Sequence, residues 1–255
     1  MSTRLRLIVI WLGAAGLAAL LASALVKLPP FGHYPGPYGD MMNSLAPYER
    51  HVTNVVTAIN FDYRALDTLG EEFMLFSAVS GLVLLLRGAR GESADAPPDP
   101  PQDRSIQPRN DGVRWLSLGL VALIDLFGGY MILHGHLTPG GGFQGGAMLG
   151  TASMLVYVAF NYRTYRKTTS KEWMEVVEGI GAASYVVIGL GGVLLGGAFL
   201  QNVLPLGTRG ELLSGGTITV INFAVGLEVA AGFALLFNEF LEETRVQEPE
   251  DEEEE

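Results

Sequence analysis

Two acidic residues lie deep inside long apolar stretches of this 255-residue chain, and they are the first candidates for chemistry. They are Asp125 and Glu228, each near the middle of its stretch. An ionisable side chain at such a place costs roughly 3 kcal/mol on membrane-insertion scales. Because a low dielectric disfavours the charged form of a carboxyl group, such a group can take up and release protons near neutral pH. The pattern predicts an ion or proton path, and hydrogen bonding between packed helices is the alternative.

A second acidic pair stands at the start of another apolar stretch. Asp67 and Glu71 are four residues apart, so a helix places them on one face near one end of a span. Two carboxylates so placed can accept a cation or a proton that enters from that side. The alternative is a capping role for Asp67 and a first-turn position for Glu71 that the helix dipole favours.

Two histidines, His134 and His136, follow the stretch that holds Asp125. Imidazole groups exchange protons at physiological pH, so both are candidates for a proton relay at the membrane boundary. A metal site is not predicted, because no carboxylate or third histidine lies nearby and the spacing of helical histidine ligands is missing. The chain has no cysteine, which excludes disulfides, thiolate metal sites and cysteine nucleophiles.

The segment after the histidines is rich in glycine. Proline followed by three glycines should end a helix sharply and let the backbone approach other groups closely. Glycines spaced by four residues then give a smooth helix face for close packing, and Gly192 and Gly196 repeat this spacing later. We predict a structural loop and a packing face made of Pro139, Gly140, Gly141, Gly142, Phe143, Gly146 and Gly150.

The elements that must position these residues are membrane-spanning helices. A span needs about 20 mostly apolar residues, because about 30 Å of hydrocarbon is crossed at 1.5 Å per residue. Six windows meet this requirement, namely 7–26, 66–86, 115–133, 143–162, 177–199 and 218–240. Lysine and arginine gather on the segments that are inside if the N-terminus is cytoplasmic. The predicted fold class is all-α, a polytopic integral membrane protein with about six transmembrane helices and both termini in the cytoplasm.

The first window has a second interpretation as a secretory signal, because Arg4 and Arg6 precede it and a small-x-small triplet lies near its end at 22–24. Between the second and third windows, a composition rich in Pro, Asp, Gln and Arg predicts a disordered linker over 89–111. Residues 242–255 should form a disordered acidic tail, which carries much of the net charge of −11.

The segment between the first and second windows lies outside if the N-terminus is cytoplasmic. Within it, residues 46–61 are expected to form a helix at the membrane interface.

The sequence HLTPGGGFQGG at 136–146, with four predicted spans around it, resembles the B subunit of the Mrp-type multisubunit sodium/proton antiporters, the MnhB-like domain. This similarity covers about 112–239. The sequence NFDYRALDTLGE at 60–71 is similar to the C-terminal end of the large A subunit and to the small MbhE-like subunit of membrane-bound hydrogenases. The chain therefore resembles an MbhE-like unit with two transmembrane helices at 1–88, joined to an MnhB-like four-helix unit at 112–241.

The resemblance implies a subunit of a monovalent cation/proton (Na⁺/H⁺) antiporter in the cytoplasmic membrane, and a transport subunit instead of an enzyme. It implies that Asp67 and Glu71 belong to the ion-conducting part. The expected partners are other membrane subunits of the complex, the lipid bilayer, and Na⁺ and H⁺ as transported ions, with no cofactor and no nucleic acid. Central lysines typical of proton-pumping subunits are missing, so this chain alone should not be a complete antiporter. The alternative is a structural membrane subunit of a hydrogenase-like or complex-I-like redox complex.

Overall fold

The computed structural model describes residues 3–28, 32, 36–89, 111–160 and 162–243, and every regular element in these ranges is helical. The all-α fold class is therefore confirmed. The helices are α1 (Thr3–Val26), α2 (Pro37–Glu49), α3 (Val55–Ala58), α4 (Ala65–Ala89), α5 (Asp111–Leu133), α6 (Gly142–Ala159), α7 (Tyr162–Thr168), α8 (Lys171–Gly196) and α9 (Thr217–Glu243). A π-helical turn, Ile59–Tyr63, leads from α3 towards α4.

Five of these helices are long and apolar enough to cross a membrane, and they are α1, α4, α5, α8 and α9. Five of the six predicted windows fall largely on them. The remaining window, 143–162, corresponds to the 18-residue α6, which is not among the five. Gln144 and the repeated glycines lower the hydropathy of α6. A polytopic membrane protein is confirmed, while the cytoplasmic location of both termini remains a prediction.

The chain divides into two compact units, residues 1–41 and 42–255. The first contains α1, whose large apolar side chains, such as those of Trp11 and Leu20, are exposed. The second contains α3 to α9. The predicted division into residues 1–88 and 112–241 stays a prediction. Most of the predicted linker, at 90–110, and nearly all of the predicted tail, at 244–255, lie outside the described residues.

Helix α9 is the central element of the second unit. It packs against α4, α5, α6 and α8. Its apolar residues Ile218, Ile221, Val225 and Val229 are all buried, and they form one core with Tyr185 of α8 and with residues of the α3–α4 region. A helix that is apolar on nearly all sides needs neighbours on all sides, which explains its place in the middle.

The ends of α8 show why this helix differs from its predicted window of 177–199. It begins at Lys171 because the hydroxyl of Ser170 accepts a hydrogen bond from the backbone N–H of Trp173, which is an N-cap arrangement. It ends where Gly197 adopts the left-handed conformation with φ of 91°. The N-cap therefore starts α8 at charged residues that the hydropathy window leaves out.

The glycine face on α6 lies directly against α9. A Cβ added to Gly146 would be 2.7 Å from the carbonyl oxygen of Gly226, and one added to Gly150 would be 2.5 Å from Cβ of Phe233. The same spacing on α8 has a different outcome. The nearest neighbours of Gly192 and Gly196 lie in the connection to α9, which folds back over them and brings Gln201 within 2.7 Å of either added Cβ.

The predicted interfacial helix over 46–61 is wrong. The chain is interrupted between α2 and α3, where His51 has a φ of 53° and the side chain of Asn54 caps α3. Ala46, Val52 and Ala58 within this stretch are fully buried. Apolar residues that suggested a membrane surface therefore belong to the protein core, which only tertiary packing could reveal.

Candidate ion-pathway site

Three acidic side chains are buried where α4, α8 and α9 pack together. They are Glu72 of α4, Glu178 of α8 and Glu228 of α9, which are 3%, 4% and 1% exposed. Glu72 and Glu178 each lie about two turns from the start of their helix, and Glu228 lies about three turns from the start of α9. We call these three residues the carboxyl cluster.

Helical periodicity directs these side chains inward. On α4 the buried residues recur every three or four positions or a multiple of that, and they include Ala65, Thr68, Glu72, Val79 and Val83. Glu72 therefore occupies a position in the stripe that otherwise builds the core. On α8 the buried stripe contains Glu178, Ala182, Tyr185 and Gly189 in the same way.

The helices meet closely at the carboxyl cluster. A Cβ added to Gly181 of α8 would be 2.7 Å from the backbone nitrogen and from Cβ of Glu228. A Cβ added to Gly232 of α9 would be 3.2 Å from Oε1 of Glu178. Both Glu72 and Glu178 are near enough to Glu228 for their charges to act on it. Glu228 is thus the member of the carboxyl cluster on which the charges of both others act.

Several carboxyl oxygens of the cluster are buried without a hydrogen-bond partner among the described residues. They are Oε2 of Glu72, Oε1 of Glu178 and both side-chain oxygens of Glu228. Buried polar atoms in proteins are nearly always paired, and an unpaired one requires an explanation such as function or a bound ion or water. Protonation of these carboxyl groups would remove the cost of burying their charge.

The end of the bundle at which α4 and α9 begin, here called the π-turn end, contains a cavity of about 720 Å³. Its polar walls include Arg50, Asp62, Arg64, Asp67 and Asn202. Asp62 is held by Nε of Arg50 at 3.0 Å and by Nδ2 of Asn202 at 3.1 Å. Asp67 accepts a hydrogen bond of 2.6 Å from Nε of Arg64. The cavity therefore presents carboxylates beside the mouth of the α4–α8–α9 interface.

Two tyrosines lie close to this cavity. The hydroxyl of Tyr185 donates to the carbonyl oxygen of Ala65 at 2.9 Å, and its ring lies in the core. Tyr63 belongs to the π-helical turn, and its hydroxyl donates to Oε2 of Glu49 at 2.6 Å. Burial, and then this hydrogen bond, raise the pKa of Tyr63 to about 12, so its hydroxyl stays protonated as a donor. π-Helical turns are frequent at functional sites.

At the opposite end, where α8 begins and α9 ends, Lys171 forms a buried ion pair with Glu239. Asn238 beside it is also buried. The hydroxyl of Tyr165 donates to the carbonyl oxygen of Ala234 at 3.2 Å and fixes α7 against α9. Buried polar groups therefore occur on α9 both at the carboxyl cluster and at this end, which we call the Lys171 end.

The two predicted histidines differ in environment. His136 is fully buried, and its main-chain oxygen accepts hydrogen bonds from the N–H groups of Thr53 and Asn54. Burial lowers the pKa of His136, and the nearby main chain of Glu211 and Leu212 opposes this effect. His134 is half-buried and stacks on Tyr130 with ring centroids 4.2 Å apart.

Asn222 of α9 explains the glycine-rich loop between α5 and α6. Its Oδ1 accepts from the backbone N–H of Gly142 at 2.7 Å, and its Nδ2 donates to the carbonyl oxygen of Ile132 at 2.5 Å. One amide thus joins the end of α5, the start of α6 and the middle helix. Gly140 in this loop has a φ of 125°, a conformation that favours glycine.

Residues 113–235 match the family model described as a domain related to the MnhB subunit of the Na⁺/H⁺ antiporter. The B subunit of the Na⁺/H⁺ antiporter from Bacillus subtilis is 32% identical over 129 residues, which are 48% of this chain and 87% of that protein. The chain belongs to the MnhB family.

Two solved structures extend the similarity of this MnhB protein beyond the family domain. One is the archaeal membrane-bound sulfane sulfur reductase, a respiratory membrane complex, with a TM-score of 0.70 and 30% identity over 93% of this chain and 98% of that chain. The other is the Mrp complex from Dietzia sp. DQ12-45-1b, with a TM-score of 0.71 and 25% identity over 98% of this chain and 27% of that chain.

Within this MnhB protein, the predicted pathway residues do not form one site. Glu228 belongs to the carboxyl cluster, whereas Asp67 and Glu71 are exposed on α4, and Asp125 is exposed on α5. Asp67 lies in the first turn of α4, after the N-cap position, and it pairs with Arg64. The described residues contain no group of three or more His, Asp or Glu arranged to hold a metal ion.

Sequence reasoning missed Glu72 and Glu178 in the MnhB protein. The four-residue spacing from Asp67 points to Glu71 and gives no sign of its neighbour Glu72. The better signal was the stripe of buried positions along α4, in which Glu72 is in register with Val79 and Val83. Glu178 could be found in the same manner, since it is in register with Ala182 and Tyr185 on α8.

Proposed function

We propose that this chain is a subunit of a multisubunit Na⁺/H⁺ antiporter of the cytoplasmic membrane, and that its carboxyl cluster forms part of the ion path. The observation that carries the proposal is the burial of Glu72, Glu178 and Glu228 at one helix interface with unpaired oxygens. Membership of the MnhB family and the similarity to a solved Mrp complex support the antiporter assignment. Other membrane subunits of such a complex are the proposed partners.

The physical argument starts from the cost of burial. A buried charge without a partner is strongly unfavourable, and adjacent like charges increase that cost. The cluster must therefore be neutralised by protons or by a bound cation. A group that needs neutralisation and can accept either ion is suited to exchanging one for the other. This is the chemical step that an antiporter requires.

The proposed route runs along α9 between the two ends of the bundle. From the π-turn end it begins at the cavity, where Asp67 contributes a carboxylate, and passes Tyr185 to Glu72 and Glu228. Glu178 continues it towards the Lys171 end. Like charges next to one another favour stepwise occupation, since a proton on one carboxyl group changes the charge felt by the next.

Other predicted residues have proposed roles outside the carboxyl cluster. Glu71 is exposed beside Glu72 and is proposed to pass ions to or from a neighbouring subunit. His134 and His136 are proposed as proton relays at the α5–α6 loop. If Glu71→Gln leaves sodium-dependent proton movement unchanged in an intact complex, Glu71 does not belong to the path.

The proposal is tested with Glu72→Gln, Glu178→Gln and Glu228→Gln in the complete complex, each assayed in everted membrane vesicles for sodium-dependent proton movement. Glutamine keeps the size and polarity of the side chain but cannot exchange a proton. We expect each variant to lower transport by at least about tenfold, the size of effect given by removing a proton-transfer group. A native gel should show complex in normal amount.

Glu172→Gln is the matched control, because it removes an exposed acidic group from the first turn of the same α8. Transport by this variant should remain normal. Normal transport by all three cluster variants would contradict the ion path. Loss of the assembled complex, with normal turnover per remaining complex, would instead assign the cluster a packing role.

A redox-driven complex is the second candidate, favoured by one observation. The chain matches 98% of a subunit in the solved sulfane sulfur reductase complex. The two candidates differ in the energy source and not in the residues of the path. In vesicles, a sodium or pH gradient alone drives exchange by an antiporter, whereas a redox complex moves ions only when an electron donor is added.

A further inference from the structure

Asp125 lies on an exposed face of α5, and the ion path described above does not use it. It is about two turns from the end of α5 and about four turns from its start, so it lies well inside a helix that is long enough to span the membrane. We infer that a membrane-spanning helix of another subunit covers this face and presents a lysine or arginine at the depth of Asp125.

Lipid is an unfavourable neighbour for this carboxyl group. A carboxyl group at the centre of a bilayer costs several kcal/mol, and such residues almost always face protein or a water-filled cavity. Long basic side chains can reach the interface from inside the membrane, but the short side chain of aspartate cannot. Leu126 and Phe127 next to it are exposed and apolar, so this part of α5 does not line a polar surface of its own chain.

The chain cannot supply a basic partner from its own spans. The middle of every predicted span is free of lysine and arginine, and the lysines are Lys27, Lys167 and Lys171. Helix α6, which packs on α5, contains no basic residue between Gly142 and Ala159. A countercharge for Asp125 must therefore come from another polypeptide. A second copy of this chain would bring only another Asp125.

The surface around Asp125 also permits close approach. Ala122 and Gly129 are three residues before and four residues after it, so they lie on the same face of α5. A Cβ added to Gly129 would have no neighbour within 4 Å. Small residues let another helix come near enough for a buried ion pair or hydrogen bond in a membrane.

The inference is tested by photo-crosslinking in the complete complex, with Asp125 unchanged. A benzophenone-bearing phenylalanine replaces Ala122, and mass spectrometry identifies the crosslinked peptide. We expect the probe to crosslink to a spanning segment of another subunit, and we expect that segment to contain lysine or arginine. The matched control carries the probe at Leu123, which lies on the other side of α5 at 100° per residue, and it should give a different pattern.

A crosslink from position 122 to lipid only, to a second copy of this chain, or to a segment without lysine or arginine would overturn the inference. Charge reversal provides a second measurement. Asp125→Lys should reduce the amount of assembled complex on a native gel by about tenfold or more, while the chain remains in the membrane fraction. Replacement of the crosslinked basic residue by an acidic one should restore assembly of Asp125→Lys. Normal assembly of Asp125→Lys would overturn the inference as well.

Discussion

Gly181 of α8 lies directly against Glu228 of α9, with no room for a side chain between them. The closest backbone atom of Glu228 would be 2.7 Å from a Cβ at position 181. The neighbouring Gly179 has nothing within 4 Å of an added Cβ. The position of the buried carboxyl group is therefore set by one glycine of a pair that sequence alone cannot distinguish.

Gly181→Ala should separate α8 from α9 at the carboxyl cluster. Overpacking of this kind costs about 1–3 kcal/mol. For a chain of this size, we expect the Tm of the purified protein in detergent to fall by roughly 2–10 °C. Transport in vesicles should fall too, because Glu228 moves relative to its neighbours. Gly179→Ala is the control: it should leave transport unchanged and should not lower the Tm, because alanine favours an open helix position over glycine. Equal behaviour of the two variants would contradict the close contact.

Asn222→Ala should weaken the junction of α5, α6 and α9. It leaves the N–H of Gly142 and the carbonyl oxygen of Ile132 without their side-chain partner. Each unsatisfied buried group costs about 1–3 kcal/mol. Thermal unfolding in detergent should show a clear fall in Tm, whereas Phe223→Leu, at the exposed residue beside it, should have little effect. An unchanged Tm for Asn222→Ala would mean that this amide does not hold the loop.

His136 should make the stability of the protein depend on pH. Its folded-state pKa is lowered by burial, so the unfolded chain binds a proton first. The contribution of neutral His136 is complete above the unfolded-state pKa of about 6.5 and is lost as the pH falls below that value. The slope reaches at most about 1.4 kcal/mol per pH unit.

His136→Gln should flatten this dependence, measured as the midpoint of denaturant unfolding in detergent between pH 7.5 and 5, a range on both sides of the histidine pKa of about 6.5. His134→Gln, two residues earlier, is the comparison and should retain the acid-side loss. An identical slope in the wild type and in His136→Gln would show that another group causes the dependence.

The helices could largely be predicted from hydropathy, because the requirement to cross a membrane acts on each segment separately. The residues of the candidate site could be predicted only in part. Glu71 and Glu72 are adjacent, yet Glu72 is buried and Glu71 is exposed. A helix turns by about 100° per residue, so the choice between them depends on which side α9 occupies.

The glycines also show which features the sequence predicts and which depend on packing. Gly146 and Gly192 both belong to four-residue glycine spacings, but Gly146 contacts a helix and Gly192 contacts a loop. Spacing identifies a smooth surface without naming what lies on it. The same limit applied to residues 46–61, whose apolar side chains suited either the membrane surface or a core.

The amino-acid sequence by itself determined the helical class, the membrane location, the family resemblance and the presence of ionisable groups inside apolar segments. Each of these depends on local composition, hydropathy or a short motif. Only the tertiary structure decided that Glu72, Glu178 and Glu228 come together while Asp125 is exposed on the outer surface of α5. The physical reason is that burial and electrostatic coupling depend on the packing of helices that are distant in the chain.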